Sequence, residues 1–412
     1  MGDVMNAGGG GGGAKITVEV GPQTRTSGVL TSPPAYPAGG MFADSCTDID
    51  GNVYVGGVLW NHVYSPPSGV SVVAKYTPDG KGEMLDNLTS FRNYTGMCAL
   101  GDGGILVAGG IIPPSNTYTA EVNKYDRHGK ISTVANLSVA RTYTQGCMDG
   151  DGNGLIIGGR SSSAPVATVD RYNRYGEKIS GATMSTPRVW FGVSRDGNGN
   201  VVVGGGYTTG SLSAVDRIDK TGVVTSLTPL TGARHYLGAA TDGNGDVWFV
   251  GGYNSNVVDK YSTSGVKTTM PNLTVSMRYV VGSSYGISGR MAFAMTSSMS
   301  IPPSVYVSDM AGNMTLLGTS RIKREREDWR MTSDIAGNVI FSALDGTLPN
   351  YGILVSEIWY SPDAKAVRVP AHNAYKFAQH ETEQPAEDHD IFIAVAPNTA
   401  GYFRPKKGAI SA

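Results

Sequence analysis

A unit of about fifty residues repeats along this chain, and the repeat limits the folds that the chain can adopt. Its clearest mark is a pair of glycines after a short apolar run, as in VYVGG, ILVAGG, LIIGG, VVVGG and WFVGG. The first glycines of these pairs are Gly56, Gly109, Gly158, Gly204 and Gly251, so the unit recurs in steps of 53, 49, 46 and 47 residues. A period of this length is typical of a fold in which each unit packs against its neighbours.

Two further patterns give the unit its strands. A turn such as DGDGNG or DGNGD precedes the apolar run, and Asp, Asn and Gly tolerate the left-handed backbone of a tight hairpin. A short alternating stretch follows the run, as in VNKY, VDRY, VDRI and VDKY, and ends at another glycine turn. Stretches such as KISTVANL supply a fourth strand. Four antiparallel strands in each unit, repeated around a ring, predict the blades of a β-propeller.

An arginine ahead of each first strand extends the count of units. The arginines keep the period of the glycine pairs and continue into two weaker units, VYVSDMAGN and RMTSDIAGNVIFSAL. They are Arg92, Arg141, Arg188, Arg234, Arg278 and Arg326. We therefore predict an all-β chain that folds as one seven-bladed β-propeller with four antiparallel strands in each blade.

The two ends of the chain differ from the repeat. We predict a flexible glycine-rich leader at residues 1–14, the propeller at residues 15–375, an acidic linker at residues 376–390 and a C-terminal strand or attachment tail at residues 391–412. Two closures of the ring stay open, because residues 24–32 and the AKAVRVP segment compete for the position of the same fourth strand.

The repeat resembles that of the kelch family in its double glycine, its Tyr-centred third strand and the arginine before the next blade. The resemblance covers about residues 28–370 and implies a propeller of four-stranded blades. The chain departs from the kelch pattern because it lacks the tryptophan that follows the third strand. Hairpins such as DGNGDVWFV are also similar to those of NHL-type and streptogramin-lyase-type propellers, which share this blade.

Charge and cysteine content exclude several classes of function. A formal net charge of −1 and a pI of about 6.6 predict no basic surface for nucleic acid. We expect no membrane insertion, since no apolar run is long enough, and the N-terminus lacks a secretory signal pattern. Cys46, Cys98 and Cys147 recur at one position of three successive units, where a small buried residue is expected. This odd, sparse set argues against a disulfide scaffold and a zinc site.

The recurring arginines and the aromatic residues near them are the candidate ligand-binding residues. In four units an aromatic residue lies two positions after the arginine, in loops that gather at one mouth of a propeller channel. Guanidinium groups and aromatic faces are suited to a sugar or a carboxylate. The candidates are Arg92, Tyr94, Arg141, Tyr143, Arg188, Trp190, Arg234 and Tyr236, with Trp60 and His62 from a long early loop. The alternative is structural, with arginines that bridge blades or bind buried carbonyl groups.

We expect no cofactor. Asp149, Asp151 and Asn153 mimic the start of a calcium loop, but the EF-hand glutamate is absent and hairpin turns favour the same residues. Calcium at this hairpin stays an alternative. The copper chemistry of kelch-type oxidases is not expected, because the histidines are scattered and the cysteines follow a core pattern.

We interpret the chain as a non-catalytic binding or structural module, similar in texture to the kelch-like propellers of phage tail and fibre proteins. It is then located in a virion or at an extracellular surface, and its terminal segments attach to other virion proteins. The propeller face meets a host-surface glycan or a neighbouring virion protein. Two alternatives stay open: a sugar-modifying kelch-type enzyme, epimerase-like or oxidase-like, and a cytoplasmic interaction scaffold. Carboxylates for an enzyme would come from Glu325, Glu327 and Asp328.

Overall fold

The structure is a computed structural model that describes most of the repeat region. The described residues are 18–20, 23–24, 29–30, 42–61, 68–77, 82–285, 290–297, 301, 303–309, 311–319, 330–333, 339–345, 353–359, 391–396 and 399–405. Every regular element among them is a β-strand. This part of the chain contains no helix with the length and apolar character that crossing a membrane requires.

The chain divides into two compact units, one of Val29–Trp359 and one of Met1–Gly28 with Tyr360–Ala412. The described strands of the terminal unit are β1 (Val18–Val20), β2 (Gln23–Thr24), β33 (Ile391–Ala396) and β34 (Thr399–Pro405). β34 pairs antiparallel with the other three. The predicted domain boundaries after residues 14, 375 and 390 stay predictions.

The larger unit is built from four-stranded antiparallel sheets, and six of those described follow the order of the chain. The first sheet contains β4 (Phe42–Thr47), β5 (Val53–Asn61), β6 (Ser68–Tyr76) and β7 (Gly82–Met84). The second contains β8 (Gly96–Ala99), β9 (Ile105–Ala108), β12 (Val122–Tyr125) and β13 (Ile131–Val134). The third contains β14 (Gln145–Met148), β15 (Gly154–Ile157), β16 (Thr168–Tyr172) and β17 (Lys178–Thr183). The fourth sheet contains β18 (Gly192–Arg195), β19 (Val201–Gly204), β20 (Val215–Ile218) and β21 (Val224–Leu227). The fifth contains β22 (Gly238–Thr241), β23 (Val247–Val250), β24 (Val258–Tyr261) and β25 (Lys267–Met270). The sixth contains β26 (Tyr279–Tyr285), β27 (Arg290–Thr296), β28 (Ser304–Ser308) and β29 (Met314–Thr319). A hairpin of β10 (Ile111–Ile112) and β11 (Thr117–Tyr118) lies between β9 and β12.

A further four-stranded sheet joins the two ends of the larger unit. It contains β30 (Arg330–Ser333), β31 (Val339–Asp345), β32 (Ile353–Trp359) and β3 (Val29–Leu30). β3 pairs antiparallel with β32, with Val29 opposite Glu357. The N-terminal segment therefore supplies the closing strand, which was one of the two predicted alternatives. The competing segment near Val367 lies outside the described residues.

The first strands of the sheets contact one another in a closed cycle. The order of contact is β4, β8, β14, β18, β22, β26, β30 and back to β4. Where the cycle closes, Thr47 Oγ1 and Thr332 Oγ1 are hydrogen-bonded at 2.5 Å. The prediction of an all-β propeller with four-stranded blades is confirmed.

Burial within each blade explains the apolar runs of the repeat. The second strands β9, β15, β19 and β23 are buried at every residue, because they lie between a first and a third strand and under the neighbouring blades. The fourth strands β13, β21 and β25 expose their two central residues. A continuous apolar run therefore marks an inner strand, whereas polar residues mark the outer edge.

Glycines join the hairpins of neighbouring blades at the turn between first and second strands. Gly150 N donates to Gly199 O at 2.8 Å, and Gly197 N donates to Gly245 O at 2.9 Å. Gly199 has φ of +86°, and a Cβ added there would lie 2.6 Å from the Cα atom of Gly150. The turn thus requires glycine both for its left-handed backbone and for the contact between blades.

We expect Gly199→Ala to lower the free energy of unfolding by about 2–3 kcal/mol, from left-handed strain and from the displaced hairpin. The matched control is Gly210→Ala, because a Cβ at Gly210 has no atom within 4 Å and its φ is not in the left-handed range. Urea unfolding followed by circular dichroism measures both. Equal stability of the two variants would contradict the role of the glycine contact.

Candidate functional site

A cavity of about 240 Å³ lies at the centre of the propeller, lined by the first strand or the preceding residues of each described blade sheet. Aromatic side chains from five successive units border it. We call these residues the aromatic arc: Tyr94, Tyr143, Trp190, Tyr236 and Tyr279. Four of them were predicted as ligand-binding residues, and the structure brings those four together.

The rings of the aromatic arc form a nearly continuous series. The centroid distances between successive rings, from Tyr94 through Tyr143, Trp190 and Tyr236 to Tyr279, are 4.9, 6.4, 4.9 and 4.8 Å. Tyr279 is buried, whereas the other four are half-buried and so leave part of each ring accessible. An accessible series of aromatic rings can stack against the apolar face of a ligand.

The backbone of the aromatic arc is held in an uncommon conformation. Tyr94, Tyr143, Trp190 and Tyr236 have φ of 54°, 53°, 54° and 55°, in the left-handed region that bulky residues rarely adopt. Hydrogen bonds between units fix this geometry, since Tyr143 N donates to Tyr94 O at 3.3 Å and Tyr236 N donates to Trp190 O at 2.9 Å. Such strain costs about 1–3 kcal/mol at each residue and concentrates at functional sites.

The four predicted arginines lie inside the blades and do not line the cavity. Each arginine is at most 1% exposed and forms an ion pair, with a buried carboxylate in three units and with the partly exposed Glu121 in the fourth. The pairs are Arg92 with Glu121, Arg141 with Asp170, Arg188 with Asp216 and Arg234 with Asp259, at 2.8, 2.7, 2.7 and 2.9 Å. The same guanidinium groups donate to backbone carbonyls. These four arginines therefore form no ring of cations at the mouth, and we remove them from the ligand set.

One of these pairs shows how the blade compensates for a sequence change. The third strand carries an aspartate in three units, but Asn123 stands there in the unit of Arg92. Asn123 Oδ1 accepts a hydrogen bond from Arg92 at 2.8 Å, and Glu121 supplies the carboxylate. The charge of the buried arginine is balanced in each case, as its burial requires.

Both groups of the Arg141–Asp170 pair have pKa values shifted from their usual ranges. Burial lowers the pKa of Arg141, and the nearby Asp170 carboxylate opposes this change. Burial also raises the pKa of Asp170, but the charge of Arg141 and hydrogen bonds from Lys178 and Arg141 outweigh it, so the pKa lies below its usual range. The lowered pKa of Asp170 keeps its carboxyl group ionised at neutral pH, as a structural ion pair requires.

A carboxylate on the first strand β4 also lies in the cavity wall. Where β18 and β22 have Gly192 and Gly238, β14 has Gln145 and β4 has Asp44. Asp44 is 8% exposed, and its two oxygens accept backbone N–H groups of Ser45 at 2.9 Å and Met97 at 3.1 Å. Among the described residues that line the cavity, Asp44 is the one acidic side chain. Such a group can accept a proton from a ligand.

A second layer of aromatic residues surrounds one end of the aromatic arc. His235 stacks on Tyr253 with centroids 4.9 Å apart and an interplanar angle of 13°. Its Nδ1 atom lies 2.9 Å from Ser211 Oγ, and its ring contacts Trp190 and Tyr207. Tyr253 is 37% exposed, so this layer reaches the surface.

Sequence reasoning missed Asp44, Tyr279 and Tyr253. A polar residue at the glycine position of a first strand was the available signal for Asp44. Tyr279 directly follows its arginine, and Tyr253 follows a glycine pair, so neither has the spacing that identified the others. The periodic pattern therefore finds repeated residues and overlooks those that occur once.

Several predicted candidates lie where no side chain is described. Trp60 belongs to β5, but only its backbone is described, and His62 lies outside the described residues. The carboxylates considered for an enzyme, at residues 325, 327 and 328, also lie outside them. These residues stay predictions from the sequence.

The acidic hairpin considered for calcium uses its oxygens internally. Asp149 Oδ1 accepts the N–H groups of Asp151 and Asn153, each at 2.9 Å, and Oδ2 accepts the Asn153 side chain at 2.8 Å. Asp151 pairs with Lys220 at 3.1 Å. The geometry favours the role of a turn, which was the preferred interpretation.

The comparisons with solved structures agree with this architecture. A fungal alcohol oxidase of the AA5 family, in complex with copper, matches with a TM-score of 0.56 and 14% identity, over 80% of this chain and 75% of that chain. A streptogramin B lyase matches with a TM-score of 0.52 and 12% identity, over 84% and 98%. Virginiamycin B lyase from Staphylococcus aureus matches with a TM-score of 0.50 and 12% identity, over 84% and 100%. The shared fold is the β-propeller.

No family model matches the sequence, and no curated protein sequence matches it. The prediction of a non-catalytic module is corrected by the structural comparisons, because the solved propellers that match include an oxidase and two lyases. Identities of 12–14% establish the fold alone, and the reaction of this protein is proposed below.

The copper of the matching oxidase does not fit the described residues. They contain no group of three His, Cys, Asp or Glu side chains placed to hold a metal ion. Cys98 is buried opposite Leu106, and Cys147 lies at the same register opposite Leu155, so the cysteines belong to the blade packing. Burial raises the pKa of Cys147 to about 12, and its thiol is therefore protonated at neutral pH. We derive no step through copper.

Proposed function

We propose that the mouth of the channel binds a saccharide and that the protein is a sugar-modifying enzyme. The observation that carries this proposal is the aromatic arc, held in strained backbone around a cavity with a carboxylate in its wall. Strained residues around a cavity are typical of active sites. The solved propellers of enzymes that share the fold are consistent with this choice.

A saccharide suits the chemistry of the cavity. Sugar rings have apolar C–H faces that stack on aromatic rings, and hydroxyl groups that bond to polar side chains. Asp44 and Gln145 supply polar groups in the wall. A cavity of about 240 Å³ is small beside common ligand sites of about 300–1,000 Å³. We infer that it holds one sugar ring, with any further rings above the aromatic arc.

The buried carboxylate favours proton transfer as the reaction type. In this proposal Asp44 removes a proton from the carbon next to a carbonyl group of the bound sugar, and the C–H electron pair moves onto the carbonyl oxygen. Water on the opposite face then returns a proton to that carbon, the carbonyl group re-forms, and the configuration of the carbon is inverted. The two backbone N–H groups hold the carboxylate in one orientation while the ligand binds. Of the two enzyme alternatives considered from the sequence, the epimerase-like one is retained, since the described residues do not fit copper.

We expect Trp190→Ala to weaken saccharide binding by about 10- to 100-fold, because it removes the central ring of the aromatic arc. Trp190→Phe keeps an aromatic face and retains most of the binding. Tyr175→Ala, in a hairpin where the tyrosine is 62% exposed, controls for loss of a surface aromatic. The measurement is a glycan array followed by titration calorimetry on the best ligand. Unchanged binding by Trp190→Ala would overturn the proposal.

Two finer assignments belong to the same proposal. We count the composite sheet of β3 and β30–β32 as the seventh blade, and we retain the kelch-like description of the repeat. The hypothesis that the terminal segments attach to a virion and the saccharide belongs to a host surface stays a proposal from the sequence. Mass spectrometry of purified virus particles tests it, since a virion component is present at a fixed stoichiometry.

A further inference from the structure

One arginine of the repeat departs from the ion-pair rule of the others. In four units the buried arginine before the first strand forms an ion pair with a carboxylate at or near the third strand. Arg278 occupies that position before β26, but the third strand of its sheet, β28, reads SVYVS and has no acidic residue. Among the described residues, Arg278 has no ion pair.

The guanidinium of Arg278 lies between two tyrosines instead. Its Cζ atom is 4.9 Å from the ring centroid of Tyr253 and 5.9 Å from that of Tyr279. One terminal nitrogen donates to Tyr253 Oη at 3.3 Å. The side chain is partly exposed, and its buried Nε atom has no hydrogen-bond partner in the described part of the chain. Two aromatic faces hold the cation in place and leave its charge unbalanced.

This cation lies beside the proposed saccharide site. Tyr279 lines the cavity and is the last ring of the aromatic arc, 4.8 Å from Tyr236. Tyr253 stacks on His235, which in turn contacts Trp190. Arg278 therefore contacts one residue of each layer of aromatic residues, Tyr279 of the aromatic arc and Tyr253 of the second layer.

We propose that Arg278 binds the carboxylate of an acidic sugar, so that the ligand class is a uronic acid or another carboxylated saccharide. A planar guanidinium forms paired hydrogen bonds with a carboxylate, and an arginine that has no carboxylate partner among the described residues and lies beside a ligand cavity is suited to this recognition. The inference rests on the proposed function, because the aromatic arc must hold the sugar ring for Arg278 to reach its carboxylate.

The test compares glucuronic acid with glucose by titration calorimetry on the full chain. The native protein is expected to bind glucuronic acid more tightly, and Arg278→Gln is expected to weaken that binding by about 10- to 100-fold while glucose binding stays within about twofold. Arg127→Gln is the matched control, because that arginine is 43% exposed in the hairpin between β12 and β13. Circular dichroism confirms that each variant is folded.

The outcomes separate this inference from the proposed function. If Arg278→Gln weakens the binding of both sugars equally, Arg278 has a packing role and the carboxylate subsite is overturned. If the substitution changes the binding of neither sugar, the subsite is overturned as well. If Trp190→Ala still weakens both sugars, the saccharide site itself stands. If neither sugar responds to Trp190→Ala, the proposed function fails, and the subsite fails with it.

Discussion

Asp216→Ala is expected to lower the free energy of unfolding by about 3–5 kcal/mol, because it leaves a buried arginine without its counter-charge. Asp216 and Arg188 have fully buried side chains, with N–O contact at 2.7 Å. The same carboxylate accepts hydrogen bonds from the backbone and hydroxyl of Ser185, at 3.1 and 2.9 Å. Asp216 thus fixes both Arg188 and the loop that leads into β18, the first strand of the same sheet.

Equilibrium unfolding in urea measures this effect. The control is Asp151→Ala, since Asp151 and Lys220 form an exposed pair with side chains 55% and 43% accessible. An exposed pair of this kind contributes at most about 1 kcal/mol. If Asp216→Ala were as stable as the control variant, the recurring arginines would have no structural role.

Asp44→Asn is expected to lower turnover of the saccharide by about 10²- to 10⁴-fold, the usual contribution of a general base. The amide keeps the shape of the carboxylate and an oxygen for one N–H donor, but it does not accept a proton at neutral pH. Saccharide affinity is expected to change by only a few fold. The expected signature is therefore a large loss in kcat with little change in binding.

The measurement is steady-state kinetics on the saccharide identified by the glycan array, with binding followed separately by calorimetry. Asp151→Asn serves as the control for removing a carboxylate from the larger unit. Retention of kcat by Asp44→Asn would exclude the carboxylate as the proton acceptor. A loss of affinity with unchanged kcat would assign Asp44 to ligand binding alone.

The fold was largely predictable because it is repeated. The glycine pairs, the turn residues and the spaced arginines each recur, so weak signals from single units add up to one architecture. The inner strands are apolar at successive positions and the outer ones are polar, which reflects their burial in the blade. The choice of closing strand was not predictable, since pairing of β3 with β32 joins distant parts of the chain.

The candidate site was predictable only in part. The spacing grouped Tyr94, Tyr143, Trp190 and Tyr236, and all four line the cavity. The arginines, two residues before these aromatic residues, lie inside the blades instead. Three of them pair with the aspartate of the third strand, and Arg92 pairs with Glu121. That aspartate was visible in VDRY and VDKY, but a sequence does not show that the two periodic residues form a pair.

Residues that break the repeat were the hardest to assign. Asp44 stands where β18 and β22 have glycine, and the third strand of the sheet that follows Arg278 has no aspartate. Each looks like ordinary variation in the sequence. Only the closed ring shows that the first lies in the cavity wall and that the second lies beside the aromatic arc.

A crystal structure of the protein with its bound saccharide would show whether the aromatic arc is the ligand site. We predict a sugar ring stacked on Trp190 and Tyr236 at about 3.5–4 Å, with its polar edge toward Asp44. A saccharide bound at another surface of the propeller, with the aromatic arc unoccupied, would contradict it.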